Sequence, residues 1–572
     1  MRAASVGLIA LALAPFAFGE YVAYQLALYF LYATAAIGTG LCWGQAGFLP
    51  LGQALFFGFS AYLSGAALIA FPGSVWLVVL LPLCATASGL LAFAIGMLVF
   101  HRGESGAYFS LITLALSLLA FQTATSWNTA TGGFDGLKGI PGLPGLDDIS
   151  DAYYVAAGAI VLVVLLGTWV SGAPLGVLWR AVAQNERRVI LLGFDANRLK
   201  TVAFGLSGLM AGIGGALYAP QQGIVAPQLV GFALSADLVI WTAIGGRSAL
   251  LGPALGTLVV GMLTTWLRDT VALWEVLMAL FFIGVVLGFP RGIAGLLAPA
   301  ARRLCGGGAA RPPIAAAAPP HRSGAPALAF EDVRVTLDEV TILDGLSLVI
   351  DRPGIFCIIG PNGAGKTSSF NVLSGEIAVS AGRIMLDRED VTRLAPQRVA
   401  HRGVGRKLQI PSVFPDLAIA DHLAMALWAG RASPLDLLRP RLRRWTTPML
   451  EELHRRYAFL AAAERKAAEL SHGERQILEL AMALLAEPRV LLLDEPCAGL
   501  SPQETAAVIE LIRWAGSRLG GTIIIIEHDM ALVKKLADAV FVLHNGALLA
   551  HGTVAEIQAD PAVQAVYVGG AK

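Results

Sequence analysis

From Tyr21 to Phe289 the chain is a succession of apolar stretches separated by short polar or glycine-rich breaks. They run Tyr21 to Leu41, Phe48 to Phe71, Val75 to Phe100, Ala107 to Trp127, Tyr153 to Ser171, Val202 to Gln222, Leu234 to Gly245, Leu255 to Leu267 and Leu273 to Phe289. A helix of about 20 residues crosses the hydrocarbon core of a bilayer, so most of these predict spanning helices and the shorter ones partial or re-entrant segments. About eight to ten membrane segments are expected. After Ala327 the period changes. Short β-rich runs such as Gly354 to Ile359, Val490 to Leu493 and Thr522 to Ile526 alternate with helical stretches such as Gly473 to Leu485, the pattern of an α/β domain. Between the two lies Cys305 to Pro326, CGGGAARPPIAAAAPPHRSGAP, which has no periodic apolar face and reads as a linker, extended by its prolines and loosened by its glycines. The expected organisation is an N-terminal polytopic α-helical membrane domain over 1–304, an Ala/Gly/Pro linker over 305–326 and a C-terminal α/β domain over 327–572.

Composition sharpens the first part of that picture. The 572 residues are 56% hydrophobic and 14% charged, with a mean hydropathy of +0.67. Soluble chains hold roughly half apolar and about a quarter charged residues, so membrane lipid is a partner. The net charge of +1 argues against nucleic acid, whose backbone requires clustered excess Lys and Arg. Arg180, Arg187, Arg188, Arg198 and Lys200 form the richest basic connection in this half, whereas the loop from Asn128 to Asp151 carries Asp135, Asp147, Asp148 and Asp151 against Lys138. Positive loops face the cytoplasm. His101, Arg102, Arg291, Arg302 and Arg303 agree, so the chain is expected to leave the membrane into the cytoplasm. The five cysteines, Cys42, Cys84, Cys305, Cys357 and Cys497, are scattered without metal-ligand spacing and read as structural. Arg2 followed by the apolar run Ala3 to Phe18 reads as a first membrane-embedded helix rather than a cleaved leader, because further apolar segments follow at once.

The chemistry is concentrated in the second half. Gly360, Pro361, Asn362, Gly363, Ala364, Gly365, Lys366 and Thr367, continuing into Ser368, match the P-loop pattern and directly follow the apolar run Ile355 to Ile359. Glycines let backbone N–H groups close around phosphates at a helix N-terminus whose dipole favours anions. ATP is the expected ligand, with Lys366 meeting its β and γ phosphates and Thr367 a magnesium ion. Downstream, the apolar strand from Val490 ends in Asp494 and Glu495. The first suits metal binding through water and the second suits a general base that accepts a proton from attacking water.

These residues also carry a family resemblance. Leu470-Ser471-His472-Gly473-Glu474-Arg475-Gln476 resembles the signature of ABC ATPases, and Ile526-Glu527-His528-Asp529 their switch-histidine segment. Gln409 resembles the Q-loop glutamine and Ala498 to Ser501 the D-loop. The resemblance implies a nucleotide sandwich between two ATPase domains, in which Ser471 and Gly473 contact the γ phosphate on the partner's P-loop. It further implies that Gln409 senses magnesium and water, and that His528 stabilises the γ phosphate in the transition state. Two departures stand out. Glu474 replaces the usual Gln, and His472 the commonest Gly; an acid near a γ phosphate is expected to repel it and weaken hydrolysis. Leu337 stands where an aromatic residue usually stacks on adenine.

The membrane half resembles permeases of the importer family for branched-chain amino acids, urea and short amides. Gly44, Gly47, Leu51, Gly52, Gln53, Phe56, Phe57 and Tyr62 look like its glycine-interrupted segment, and Asn185-Glu186-Arg187-Arg188 through Leu192-Gly193 its cytoplasmic coupling segment. Gly52, Gln53 and Ala219 to Pro227 are candidates for a translocation path, with glycine-mediated helix packing as the alternative. Asp237, an acid in an apolar stretch, is a functional candidate. The segment Thr131 to Pro141 resembles the amino-acid branch, whereas Gly405 to Phe414 and the Ser-His-Gly signature resemble the urea branch. The resemblance implies an ATP-driven importer in the inner membrane of a bacterium, with its ATPase domain cytoplasmic. A small polar or amphipathic solute would arrive from an extracytoplasmic binding protein. A second permease and ATPase, in a homodimer or in unequal partners, would complete the sandwich, and the altered signature favours unequal ones. An exporter is disfavoured by the importer-like repeats, and a membrane-tethered regulatory ATPase by the many glycine-broken spans.

Overall fold

The computed structural model describes residues 15–17, 19–101, 106–146, 148–289, 292–296, 312–317 and 327–569. The Ala3 to Phe18 segment therefore lies largely outside the described residues, as do Arg102, Asp147, Arg291, Arg302, Arg303, Cys305 and most of the expected linker. The chain divides into two compact units, Met1–Ala183 with Asn197–Ala310, and Gln184–Ala196 with Arg311–Lys572.

The first unit is helical. Its helices are α1 (Glu20–Gly40), α2 (Gln53–Ala70), α3 (Leu77–His101), α4 (Ala107–Ser126), α5 (Ile149–Gly172), α6 (Pro174–Leu191), α7 (Ala196–Gln222), α8 (Phe232–Gly245), α9 (Gly252–Thr270) and α10 (Trp274–Gly288). Among the described residues, six helices are long and apolar enough to cross a membrane: α1, extended to Gln45, and α2, α3, α4, α5 and α7. Phe232–Gly245 and Val276–Val285 are shorter apolar helices. The difference from eight to ten has local causes. A 14-residue α8 rises only about 21 Å, short of a hydrocarbon core, because the chain before it turns at Pro227–Val230. The later turns of α9 carry Thr264, Thr265, Arg268 and Asp269.

Small residues let these helices approach closely. A Cβ at Gly52 would sit 2.0 Å from the Thr113 carbonyl oxygen, so no larger residue fits. Gln53 is fully buried and donates from Nε2 to the Ser207 carbonyl at 3.0 Å. Gly52 and Gln53, two of the candidates for a translocation path alongside Ala219 to Pro227, thus also take part in helix packing. At one end of the bundle β1 (Leu137–Lys138) pairs antiparallel with β2 (Ile224–Val225), bringing the Thr131 to Pro141 segment onto the chain after α7.

The second unit contains two sheets around one core. β3 (Leu328–Leu337), β4 (Val340–Ile350), β6 (Ala381–Leu386) and β7 (Glu389–Asp390) form an antiparallel sheet in the order β4-β3-β6-β7. Between them in sequence, β5 (Gly354–Ile359) joins β8 (Val404–Lys407), β9 (Val490–Asp494), β10 (Thr522–Ile526), β11 (Ala539–His544) and β12 (Ala547–Gly552) in the order β12-β11-β5-β10-β9-β8. All neighbours in this larger sheet are parallel except β11 and β12. β5, β9 and β10 are nearly continuous apolar runs, as strands covered on both faces must be. Phe330, Leu346, Ile358, Phe370, Leu492 and Ile524 belong to the core between the layers. Inside the expected linker, Ile314–Ala315 pairs with Trp445–Thr446 as a short parallel ladder, its entry pre-extended by Pro312 and Pro313.

Candidate active site

Parallel strands deliver their following loops to one edge, which is where α/β sheets bind ligands. Here Asp494 lies beside Ile526, and Ile526 beside Ile358. The P-loop after β5, the acids after β9, His528 after β10 and Gln409 after β8 therefore leave from neighbouring strand ends. The loop Gly360 to Gly365 opens α11 (Lys366–Leu373). Lys366 folds back so that Nζ donates to the carbonyls of Gly360 at 2.7 Å and Pro361 at 3.0 Å. Burial lowers the Lys366 amine, against the pull of Glu495 and Asp494. Asn362, Gly363 and Thr367 are exposed, while Ala364 and Gly365 are buried; Pro361 and Ser368 are half-buried.

Gln409 and His528 converge on Glu495. Gln409 donates from Nε2 to Glu495 Oε2 at 2.8 Å, and His528 Nδ1 stands 3.7 Å from Glu495 Oε1. Glu495 takes a left-handed backbone (φ 41°), which turns its side chain off the strand. Asp494 is 3% exposed, and burial raises its carboxyl against the pull of Arg406, Lys407 and Lys366. Thr367, Asp494 and the Gln409 amide oxygen form an oxygen-only donor set of the hard kind that magnesium takes, so the residues fit that ion. Leu337 is exposed at the tip of the β3–β4 hairpin, beside the still more exposed Val340.

The signature lies apart from this convergence, at the start of α13 (His472–Leu485), reached after α12 (Ile419–Trp428). Ser471 caps α13: its Oγ accepts from the Glu474 amide at 3.1 Å, and Glu474 Oε2 accepts from the Ser471 amide at 2.9 Å. Arg465 grips the same carboxylate at 2.8 and 3.0 Å. Although burial works in the other direction, Arg465 leads the contacts that hold the Glu474 carboxyl below its usual range. The carboxylate expected to repel a γ phosphate is engaged in a capping box and an ion pair with Arg465, and the Ser471 O–H remains able to donate. Gly473 packs against the Glu504 side chain: a Cβ there would meet Glu504 Oε1 at 2.1 Å, so that side chain would have to move. Glu504 belongs to the capping box of α14 (Pro502–Leu519), which begins at the D-loop residue Ser501.

Sequence reasoning singled out the segment around Arg188 but not its partners. Arg188 and Glu479 are 1% and 0% exposed and stand 3.4 Å apart. Arg188 also donates to the Arg406 carbonyl at 2.6 Å, while Glu479 accepts from the Leu408 amide at 3.3 Å, one residue before Gln409. Beside them Arg187 and Arg406 both pair with Glu376. Asn185 donates to Ser412 Oγ at 2.8 Å, and Gln184 accepts from the Asp416 amide at 2.8 Å. The backbone breaks from helix at Asn185 (φ −156°, ψ 84°), which frees Gln184 to Ala196 to join this unit. Four of the cysteines, Cys42, Cys84, Cys357 and Cys497, are buried free thiols.

Glu527 is a further unforeseen group. Burial pushes its carboxyl from 4.5 up to about 7, against the pull of His528. The folded state then keeps a proton that the unfolded chain releases, so stability falls as pH rises from about 4.5 to about 7. Glu527→Gln is expected to flatten that fall, with a gain on the order of 3 kcal/mol at the alkaline end. Unfolding midpoints at about pH 5 and about pH 8 test it, and an unchanged slope in the variant would reject the assignment.

Comparison with known proteins follows the same division. Residues 21–287 match the family described as branched-chain amino acid transport system / permease component. Residues 343–498 match the ABC transporter family, and 547–572 the branched-chain amino acid ATP-binding cassette transporter family. The high-affinity branched-chain amino acid transport ATP-binding protein LivG of Salmonella typhimurium is 35% identical over 251 residues, 43% of this chain and 98% of that protein. The lipopolysaccharide export system ATP-binding protein LptB of Acidithiobacillus ferridurans is 36% identical over 228 residues, 40% of this chain and 90% of that protein. A solved ATP-binding cassette of an ABC transporter in its ADP conformation is 28% identical with a TM-score of 0.37, covering 43% of this chain and all of that one. The division expected between an amino-acid membrane half and a urea-like ATPase half is not reproduced: the families matched by both halves carry branched-chain amino acid descriptions.

Proposed function

Because the chain belongs to the ABC transporter family, joining a permease domain to an ATP-binding domain that couples ATP hydrolysis to transport, we propose that it imports branched-chain amino acids. The observation that carries the reading is the match of residues 21–287 to a branched-chain amino acid permease, in one polypeptide with the convergence of Gln409 and His528 on Glu495. LptB, an export-system protein, resembles the ATPase half equally well, so the direction rests on the permease half. The membrane is the inner membrane of a bacterium, with the second unit on its cytoplasmic side, as the basic residues of 180–200 suggest.

In this reading the P-loop amides and Lys366 hold the phosphates, and Thr367, Gln409 and Asp494 would hold a magnesium ion, which would supply positive charge against the phosphate oxygens. Glu495 accepts the proton of the attacking water, positioned by Gln409, and His528 steadies the transferred group. Ser471 and the Gly473 amide serve the nucleotide on a second ATPase domain. With Glu474 neutralised by Arg465, electrostatics at the signature supplies no reason for unequal partners, and two copies of this chain suffice. An extracytoplasmic binding protein delivers the solute.

Lys366→Ala is expected to abolish leucine accumulation in reconstituted vesicles that enclose ATP on the side of the second unit and hold the full chain with its partners. Undiminished accumulation would reject energised import. Urea measured in parallel separates the cargoes, since urea uptake without leucine uptake would overturn the amino-acid reading.

A further inference from the structure

Asp237 lies exposed on α8, a half-length helix, and lines an open cleft of about 380 Å³ in the first unit. The other walls are Tyr29 from α1, Trp241 from α8, Thr264 from α9, and Met278 and Phe282 from α10. The size suits a small organic ligand, for which sites span about 300 to 1,000 Å³. Among the described residues no Lys, Arg or His lines it. Tyr29 is fixed there, because its ring lies against Gly261 and its hydroxyl shares a 2.8 Å hydrogen bond with Thr265. Tyr29 also gives the depth, standing roughly 14 Å along the 26-residue span that begins at Glu20. The carboxylate thus stands near the middle of a hydrocarbon thickness of about 30 Å.

Facing lipid, an acid at that depth carries a heavy desolvation cost; acids persist there by lining a wet cavity or by meeting a cation. The remaining walls are aromatic and aliphatic, and aromatic faces also attract cations. We propose that the cavity binds the ammonium end of an amphipathic amine or amino acid, with Asp237 as counter-ion and the apolar body against Trp241, Met278 and Phe282. The site rests on this geometry; only the identity of leucine as its natural occupant rests on the uptake reading above.

The test labels the full chain in membrane vesicles with an apolar carbodiimide and measures the Asp237 adduct by mass spectrometry. L-leucine, isoamylamine and isocaproate are offered as protectants. Protection by leucine and isoamylamine but not by isocaproate is the expected result. Protection by isoamylamine alone would uphold the site and count against leucine as cargo. Protection by none, equal protection by isocaproate, or an Asp237 that is never modified would overturn the proposal. As a second readout, Asp237→Asn is expected to raise the KM for leucine by roughly tenfold or more, with Asp237→Glu closer to the parent and ATP hydrolysis retained in both. Loss of hydrolysis together with uptake would show that the residue serves the fold instead.

Discussion

Replacing Glu495 by Gln is expected to leave ATP binding intact and to lower turnover by roughly a hundred- to ten-thousand-fold, the contribution of a positioned general base. The geometry makes the loss specific. Glutamine keeps the length of the side chain and an oxygen for the Gln409 contact now 2.8 Å long, and it leaves Lys366 on the P-loop carbonyls. What disappears is the basic oxygen beside His528. Phosphate release and retention of labelled ATP, measured on the same reconstituted material, decide the matter. Undiminished release would remove Glu495 as base. Loss of nucleotide binding would make it a structural residue of the site.

The second large effect is expected at Arg188. Arg188→Met strands Glu479, a fully buried carboxylate, and removal of one partner from a buried ion pair costs about 3–5 kcal/mol. The double variant Arg188→Met with Glu479→Met removes both charges and is expected to recover most of that stability, because apolar replacement of a whole pair is often neutral. It does not restore the Leu408 amide contact that Glu479 makes beside Gln409. ATP hydrolysis is therefore expected to lose its response to transported solute even in the stable double variant. Thermal unfolding and solute-stimulated hydrolysis across all four members of the cycle measure the two terms separately. A single variant that melts like the parent would sink the stability claim, and a fully responsive double variant the coupling claim.

Legibility in the sequence followed the range of the interactions. β5 and β10 coincide with the runs Gly354 to Ile359 and Thr522 to Ile526, and β9 extends the predicted run only by Asp494. Such strands announce themselves because both faces are buried and every position is apolar. The P-loop and the acids follow directly on such apolar runs, whereas Gln409 was singled out through the family resemblance alone. The spans were less readable where glycine and proline shortened them, as at α8 after Pro227–Val230. The ion pair between Glu474 and Arg465 was not legible because Arg465 comes from the preceding loop and carries no periodic signal. Arg188 and Glu479 are separated by almost 300 residues and meet only in three dimensions. A basic, polar stretch beside a span reads as solvated loop until its anionic partners are known.

The thirteen residues Gln184 to Ala196 are encoded within the membrane half yet complete the other unit. A fragment severed at the linker would carry the P-loop and the signature but would leave an unfilled notch at Glu479 and Ser412, with a buried carboxylate stripped of its partner. Transplanting such a cassette into another permease, or expressing it by itself, would succeed only where the host supplied an equivalent peptide with its guanidinium in register. Residues 184–196 and the cassette they complete therefore have to be kept together in any exchange of parts, although the sequence places them on opposite sides of the linker.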